Sequence, residues 1–432
     1  MKKRYFSALI FLFCIALLSS MTISAADTIT YWSMWNKGEP QQQVIEKAIA
    51  DFEKEYKVKI DVKWVGRDVA TAIKPRLLAG ENIDLVDQNG EELYGGLVAN
   101  GIAERLNDVL ELQVPHEQKK VKDILSKETY SPYIRKDGSL YIIPYSFVSS
   151  GFWYNKTLFR ELKIEPPTTW EEFLDMAGKM RKARLEPVAF GLQTGVYRGY
   201  FPYLTAMRIL GAGSLNDAAG DPTGKLSEDP RWAEVGDVIY TLSKKGKNIL
   251  MKGYESSVYP APQMDWVMGI AGTFYCGSWI PIETQSAAGP DFEYGTFQFP
   301  TFKNGKGDPT GMECSPFGYA VLKDAKNKDL AKKFIAYFLQ KKYAESWVYD
   351  TMNMSPRLDA PAPKELKDMK EALNRANSTF RLNDGIQADY PEWYADVYLP
   401  TLSEIFSAKI TGKQFQAKLR DETIKFWAKK SK

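Results

Sequence analysis

Residues 28–64 change hydrophobic period twice, and this change limits the fold more than any other feature of the chain. Between 41 and 56, apolar residues recur every three or four positions, which predicts a helix. Between Val58 and Trp64, apolar residues alternate with charged ones, which predicts a strand. With another strand from Thr28 before the helix, the order is strand, helix, strand. That order predicts a parallel sheet and an α/β fold.

The same alternation continues along the first third of the chain. We predict a helix at Val69–Ala79, a strand at Ile83–Val86 and a helix near Glu91–Asn100. Ligands in such sheets bind beyond the carboxyl ends of the strands. Two of those ends, "YWSMWNKG" and "DLVDQNGEE", carry aromatic and polar residues and are expected to open onto one cleft.

The chain changes character after Tyr145. A strand and a short helix lead to a Pro-Pro pair and a second helix, whose N-cap is Thr168 or Thr169. A mostly helical region then extends to about residue 268. Later strands are predicted within 269–279, 293–299 and 317–322, and a helical tail from 327 to 432.

The first 26 residues have the pattern of a secretory signal peptide. Three basic residues precede an apolar run that is too short to span a bilayer comfortably, and Ser24-Ala25-Ala26 supplies a cleavage site. We therefore expect a periplasmic or extracellular protein. An uncleaved anchor and lipidation at Cys14 are the alternatives. The rest of the chain exceeds what one core organises, so two domains are expected.

Charge and histidine content exclude several classes of function. The chain has 57 Lys and Arg against 54 Asp and Glu, and three of the basic residues lie in the leader, so the mature chain is neutral. A nucleic-acid binder normally has a basic surplus, and we expect no such partner. His116 is the one histidine and stands in a polar stretch, so no histidine-based catalytic site, metal site or cofactor is expected. Paired carboxylates stay open as catalytic groups.

Two cysteines remain in the mature chain, Cys276 and Cys314. Their even number and the oxidising destination predict that they lie close enough to form a disulfide. Two buried free thiols are the alternative.

Six segments, in order, resemble the sugar-binding proteins of ABC importers, the group that includes maltose-binding protein. They begin with "IDLVDQNGEELYGGLVANGIAERL" (83–106) and "YNKTLFRELKIEPPTTWEEF" (154–173), and continue with "AGTFYCGSW" (271–279) and "FPTFKNG" (299–305). The last two are "NKDLAKKFIAYFL" (327–339) and the segment that begins "PEWYADV" at 391. Together they cover nearly the whole mature chain.

The resemblance implies a two-lobed periplasmic-binding-protein fold with a hinge of crossing strands and a helical C-terminal region. The crossings are expected near 145–150, 297–301 and 339–345. Lobe 1 would comprise 27–147 and 300–340. Lobe 2 would comprise 148–299 and 341–432.

The resemblance also implies a set of sugar contacts. Those residues are Asn36, Lys37, Glu92, Tyr200 (or Tyr203), Trp279 and Trp393. Asn36 stands where maltose-binding protein has Asp, and Asn89 stands where it has a stacking Trp. Trp35 and Asn89 join the set because they follow strands and suit a sugar, whose C–H faces pack on aromatic rings and whose hydroxyls bond to planar polar groups. Core packing is the alternative for each tryptophan, and a solvated charge at a helix start is the alternative for Lys37 and Glu92.

These features predict a monomeric binding protein that captures a carbohydrate, an oligosaccharide, and delivers it to the membrane permease subunits of an ABC importer. A secreted carbohydrate-active enzyme, with two carboxylates around one glycosidic bond, is the competing class. A binding protein for a non-sugar solute, such as an amine or organic acid, is the other alternative.

Overall fold

The structure is a computed structural model that describes residues 28–243 and 249–431. The predicted signal peptide and Cys14 lie outside these ranges. Among the helices of the described ranges, none combines the length and the apolar character that a membrane crossing requires.

Two mixed sheets form the framework, and a short strand pair accompanies them. The strands, in chain order, are β1 (Thr28–Ser33), β2 (Lys59–Trp64), β3 (Leu85–Asn89), β4 (Ile143–Val148), β5 (Ser150–Asn155), β6 (Glu186–Ala189), β7 (Ala271–Gly277), β8 (Tyr294–Phe297), β9 (Met312–Glu313), β10 (Ser315–Val321) and β11 (Thr379–Phe380). The predicted α/β class is therefore confirmed.

Helices connect and cover these strands. The α-helices are α1 (Pro40–Tyr56), α2 (Val69–Leu78), α3 (Gly90–Leu93), α4 (Val121–Ile124), α5 (Lys156–Leu162), α6 (Trp170–Lys182), α7 (Gly195–Ile209), α8 (Ser214–Ala219), α9 (Arg231–Ser243), α10 (Ala261–Val267), α11 (Ile280–Thr284), α12 (Lys328–Phe338), α13 (Lys341–Thr351), α14 (Lys367–Asn374), α15 (Ile386–Asp389), α16 (Pro391–Trp393), α17 (Leu399–Phe406) and α18 (Gly412–Lys430). One turn of π-helix extends α3 (Tyr94–Val98), and another extends α16 (Tyr394–Tyr398). The predicted helical C-terminal region is present.

The first sheet has the order β2-β1-β3-β10-β4. β1, β2 and β3 run parallel, as the hydrophobic periods predicted, whereas β10 is antiparallel to both of its neighbours. Tyr319 of β10 lies opposite Asp87 of β3. Because β1, β2 and β3 are parallel, the residues that follow them meet at one edge of the sheet.

The second sheet has the order β6-β7-β5-β8, with β5 antiparallel to β7 and β8. β4 belongs to the first sheet and β5 to the second, and Ser149 alone separates them. The chain thus crosses between the sheets inside the predicted segment 145–150. Each sheet has its own buried apolar core.

Thr169 is the N-cap of α6. Its hydroxyl accepts a hydrogen bond from the Glu172 backbone N–H (3.3 Å), and the Glu172 carboxylate accepts one from the Thr169 N–H (3.1 Å). This reciprocal pair satisfies N–H groups that a helix leaves unbonded at its start. Of the two threonines that the sequence left open, Thr169 is therefore the cap.

Two segments pack beside the sheet of the lobe opposite to the one predicted for them. Thr301 bonds to residues 168 and 170, and residues 306 and 307 bond to the end of α7, all beside the second sheet. Tyr343 and Trp347 of α13 lie in the core of the first sheet. The lobe boundaries stay a prediction, and we propose to move two of them: the segment 300–311 to lobe 2 and the segment 341–351 to lobe 1.

Candidate functional site

A cavity of about 490 Å³ opens where strands of both sheets end. Its walls include Trp35, Arg67, Asp68, Asn89 and Glu92, together with Phe317, Asn353, Trp279 and Ile282. Trp35 follows β1, Arg67 and Asp68 follow β2, and Glu92 follows β3. Trp279 comes from the other sheet, two residues after β7. This is the place where the topology of an α/β sheet leaves room for a ligand.

A hydrogen-bond chain fixes the indole of Trp35. Its ring N–H donates to the Tyr145 hydroxyl (3.0 Å), and that hydroxyl donates to the Asp87 carboxylate (2.7 Å). The rings of Phe317 and Trp347 each lie 5.7 Å from the Trp35 ring. The residue is only 5% exposed, so Trp35 forms a rigid part of the cavity wall.

The Asp87 carboxylate is fully buried behind this wall. Burial raises its pKa above the usual range, and hydrogen bonds from Tyr145, Tyr31 and the Met34 backbone N–H offset part of that rise. Because Tyr145 belongs to β4, the crossing strand, the chain from Asp87 to Trp35 joins the cavity wall to the crossing.

Arg67 and Glu39 form a second fixed unit beside Trp35. The guanidinium carbon of Arg67 lies 4.6 Å from the Trp35 ring centroid. Its Nη1 donates to the Met34 carbonyl (2.6 Å) and to Glu39 (3.1 Å), and its Nη2 donates to the other Glu39 oxygen (2.9 Å). Such a two-bond pair holds both planar groups in one orientation.

The sequence prediction missed Arg67. The available signal was its position, three residues after the end of β2, close to the position of Trp35, two residues after the end of β1. The sequence argument covers the ends of β1 and β3, and the same argument applies to the end of β2.

Trp279 lies directly against Gly277. A Cβ atom at position 277 would come within 1.9 Å of the Trp279 ring, so only glycine leaves space for the indole there. The Ser278 backbone N–H donates to the Ser149 carbonyl (2.9 Å) at the crossing between the sheets. The partly exposed indole therefore lines the cavity from the side of the second sheet.

Asn89 and Glu92 also border a second cavity, of about 650 Å³. Its other walls include Gly95 and Gly96, and Leu382, Gln387 and Tyr394 of the C-terminal region. The two cavities adjoin through this shared pair. The Asn89 side chain accepts a hydrogen bond from the Glu91 backbone N–H (2.9 Å), which leaves its amide nitrogen for another partner.

Four of the predicted site residues do not line the first cavity. The Asn36 amide donates to Glu39 (3.1 Å), so Asn36 supports the Arg67 unit. Lys37 is exposed outside the cavity. Tyr200 is 2% exposed and packs 5.0 Å from the Tyr275 ring. Tyr203, the alternative to Tyr200, is also fully buried.

The fourth of these residues, Trp393, is completely buried. Its ring N–H donates to the Thr423 hydroxyl (3.0 Å), and its ring stacks on Tyr398 at 5.7 Å. The structure therefore agrees with the packing alternative for Trp393, a tryptophan on a buried helix face.

The predicted disulfide is wrong. Cys276, in β7, and Cys314, between β9 and β10, are both free and buried. Each lies in an apolar core, where burial raises the pKa of its thiol. The alternative of two buried thiols is confirmed. His116 is exposed, with its Nε2 3.0 Å from Glu55.

The sequence model of the family described as bacterial extracellular solute-binding protein matches residues 36–345 of the chain. The chain belongs to this family. The match begins just after β1 and includes β4 and β5 on either side of Ser149. It covers every residue named above for the first cavity except Trp35 and Asn353.

Individual relatives of this solute-binding protein agree with that assignment. It is 28% identical to the diacetylchitobiose binding protein NgcE of Streptomyces coelicolor over 55% of this chain and 49% of that one, so it spans about half the length of that relative. It is 25% identical to the multiple sugar-binding protein of Streptococcus mutans, over 74% of this chain and 73% of that one. A crystal structure of a putative binding protein from Bacillus subtilis, in an open conformation, superposes with a TM-score of 0.74 at 16% identity, covering 95% and 100% of the two chains. At that identity the superposition shows the fold alone.

Proposed function

We propose that this solute-binding protein captures a carbohydrate, an oligosaccharide, in its cleft and delivers it to the permease subunits of an ABC importer. One observation carries the proposal: Trp279 from one sheet and Trp35, Arg67, Asn89 and Glu92 from the other line a single cavity. A sugar ring presents C–H patches that suit an aromatic wall and hydroxyls that suit amide, carboxylate and guanidinium groups.

The adjoining cavity supports a ligand of more than one ring. It shares Asn89 and Glu92 with the first cavity, so an extended molecule can occupy both. The names of two relatives, a diacetylchitobiose binding protein and a multiple sugar-binding protein, point to the same class of ligand.

The rest of the proposal follows from the family and the leader. The protein acts as a monomer, outside the cytoplasmic membrane, after removal of residues 1–26, and needs no metal or cofactor. It is a carrier without catalytic activity, as family members are binding proteins. A carbohydrate-active enzyme and a carrier of a non-sugar solute are the alternatives.

A thermal-shift screen of the mature protein tests the ligand class. A ligand that binds only the folded state raises the melting temperature, so oligosaccharides are expected to raise it and amino acids and polyamines are not. A shift by the amines alone would favour the non-sugar alternative. Chromatography after long incubation with the best sugar distinguishes carrier from enzyme, because a carrier leaves the sugar intact.

A further inference from the structure

We propose that Arg67, held by Glu39, determines specificity at this site and restricts it to uncharged sugars. The free edge of the Arg67 guanidinium binds two neighbouring hydroxyls, and Glu39 cancels the charge that would otherwise attract a sugar acid. This inference rests on the proposed function and names its ligand class.

The hydrogen bonds that Arg67 makes with the described part of the chain leave one edge of its guanidinium free. A guanidinium has five N–H groups in one plane. Three of them donate to Glu39 and to the Met34 carbonyl. The two that remain are Nε–H and the second N–H of Nη2, which lie side by side. The side chain is 50% exposed and lines the cavity, so a ligand can reach it. Two parallel donors match two adjacent oxygens.

Glu39 has no capacity left for a ligand. Its two oxygens receive Nη1 and Nη2 of Arg67 together with the backbone N–H (3.0 Å) and side-chain amide (3.1 Å) of Asn36. A carboxylate has about four lone-pair positions, and four donors meet this one. Partial burial raises the pKa of Glu39, but the hydrogen bonds from Arg67 and Asn36 lower it by more. The net pKa is therefore below its usual value. Glu39 therefore stays ionised and positions Arg67.

The charge around the cavity disfavours an acidic ligand. Among the described residues, the charged side chains that line the first cavity besides Arg67 are Asp68 and Glu92, and both are acidic. A uronic acid would meet these two carboxylates and a guanidinium whose charge Glu39 already neutralises. A neutral sugar needs only hydrogen bonds, and the free edge of Arg67 can donate them. The guanidinium lies over the Trp35 ring, so the direction of these donors is fixed.

Isothermal titration with matched neutral and acidic disaccharides tests this inference. The pairs are galactobiose with the same-linked digalacturonic acid, and xylobiose with glucuronosylxylose. Wild type is expected to bind the neutral members at least tenfold more tightly. Arg67→Met is expected to lose roughly tenfold or more in affinity for them, as does removal of hydrogen bonds to a charged group elsewhere. Arg67→Lys keeps the charge but loses the paired donors, and a similar loss is expected.

Two further variants separate this role from a structural one. Arg76→Met removes an exposed arginine of α2 outside the cavity and is expected to leave affinity unchanged. Glu39→Gln removes the neutralising charge, so the preference for neutral over acidic sugars is expected to fall by roughly tenfold or more. A loosened fold would weaken both classes of sugar together and leave their ratio unchanged.

Several results would overturn the inference. Equal affinity of wild type for neutral and acidic partners is one, and full neutral-sugar affinity in Arg67→Met is another. An unchanged ratio in Glu39→Gln is a third. If no sugar binds wild type in these titrations or in the thermal-shift screen, the proposed function itself fails, and this inference falls with it.

Discussion

At the scale of single residues, Trp279 and Trp393 differ in the structure although both were predicted to be sugar contacts. Trp279 lines the cavity, whereas Trp393 is 0% exposed. Trp279→Ala is expected to weaken sugar binding by about 2 kcal/mol or more, roughly thirtyfold in affinity, with a smaller loss of folding stability. Trp393→Ala is expected to cost about 3–5 kcal/mol of folding free energy, because it opens a cavity in the core.

Isothermal titration and urea unfolding of both variants check this contrast. Near-normal affinity in Trp279→Ala, together with a collapsed unfolding midpoint, would mean that Trp279 belongs to the core.

The two thiols give a second residue-scale prediction. Cys276 and Cys314 are free, fully buried and have raised pKa values, so the reactive thiolate form is rare and out of reach. Ellman's reagent is expected to detect almost no thiol in the native mature protein and two thiols after denaturation without reductant. Absence of thiols in the denatured sample would contradict this prediction and would mean that Cys276 and Cys314 form a disulfide.

Part of the candidate site could be predicted from residue types that follow strands, as for Trp35, Asn89 and Trp279, whereas Glu92 came only from the family resemblance. All four line the first cavity. Tyr200 and Trp393 do not, because a buried helix face and a cleft wall produce the same aromatic pattern in a sequence. Only their contacts with other segments, such as the bond from Trp393 to Thr423, tell them apart.

At the scale of elements, the strand β9 carries a buried carboxylate, Glu313, that forms no ion pair with any residue in the described ranges. Glu313 accepts hydrogen bonds from the hydroxyls of Ser150, Tyr203 and Ser315. Burial raises the pKa of Glu313, and the hydroxyls offset only part of this rise. The folded protein therefore keeps a proton at pH values where the unfolded chain has lost it. The contribution of Glu313 to folding stability is fully present at low pH. It falls as pH rises from about 4 through the pKa of Glu313 in the folded state.

Glu313→Gln removes this titration. The variant is expected to gain stability relative to wild type between about pH 4 and pH 7, measured by urea unfolding at several pH values. Glu172→Gln is the matched control with the opposite sign. Hydrogen bonds from Thr168 and Thr169 lower the pKa of Glu172, so its contribution is present above the unfolded pKa and is lost as pH falls. Parallel curves for the two variants would contradict the assignment.

Elements with a clear period were predictable, and short ones were not. The periods of 41–56 and 58–64 correspond to α1 and β2. The sequence prediction missed β6. This strand has only four residues and contains Pro187, so it shows neither alternation nor the usual strand composition. Its place in the sheet comes from pairing with β7, which no local pattern reveals.

At the scale of the whole molecule, the position of the cavity predicts a change of shape on binding. Both sheets contribute walls, and the chain crosses between them at Ser149. A ligand that touches both walls binds a closed form better and shifts the population toward it. Small-angle scattering is expected to give a smaller radius of gyration when the best sugar from the thermal-shift screen is saturating. An unchanged radius at proven saturation would contradict closure.

The position of β10 has a consequence for how the chain acquires its structure. Residues 315–321 lie between β3 and β4, so the first sheet has a gap until most of the polypeptide has been made. Contacts between residues so distant along the chain form slowly. A nascent molecule of this protein thus stays incompletely folded while the residues before β10 emerge. That delay is compatible with export, since an extended polypeptide threads through a translocation channel more readily than a finished domain.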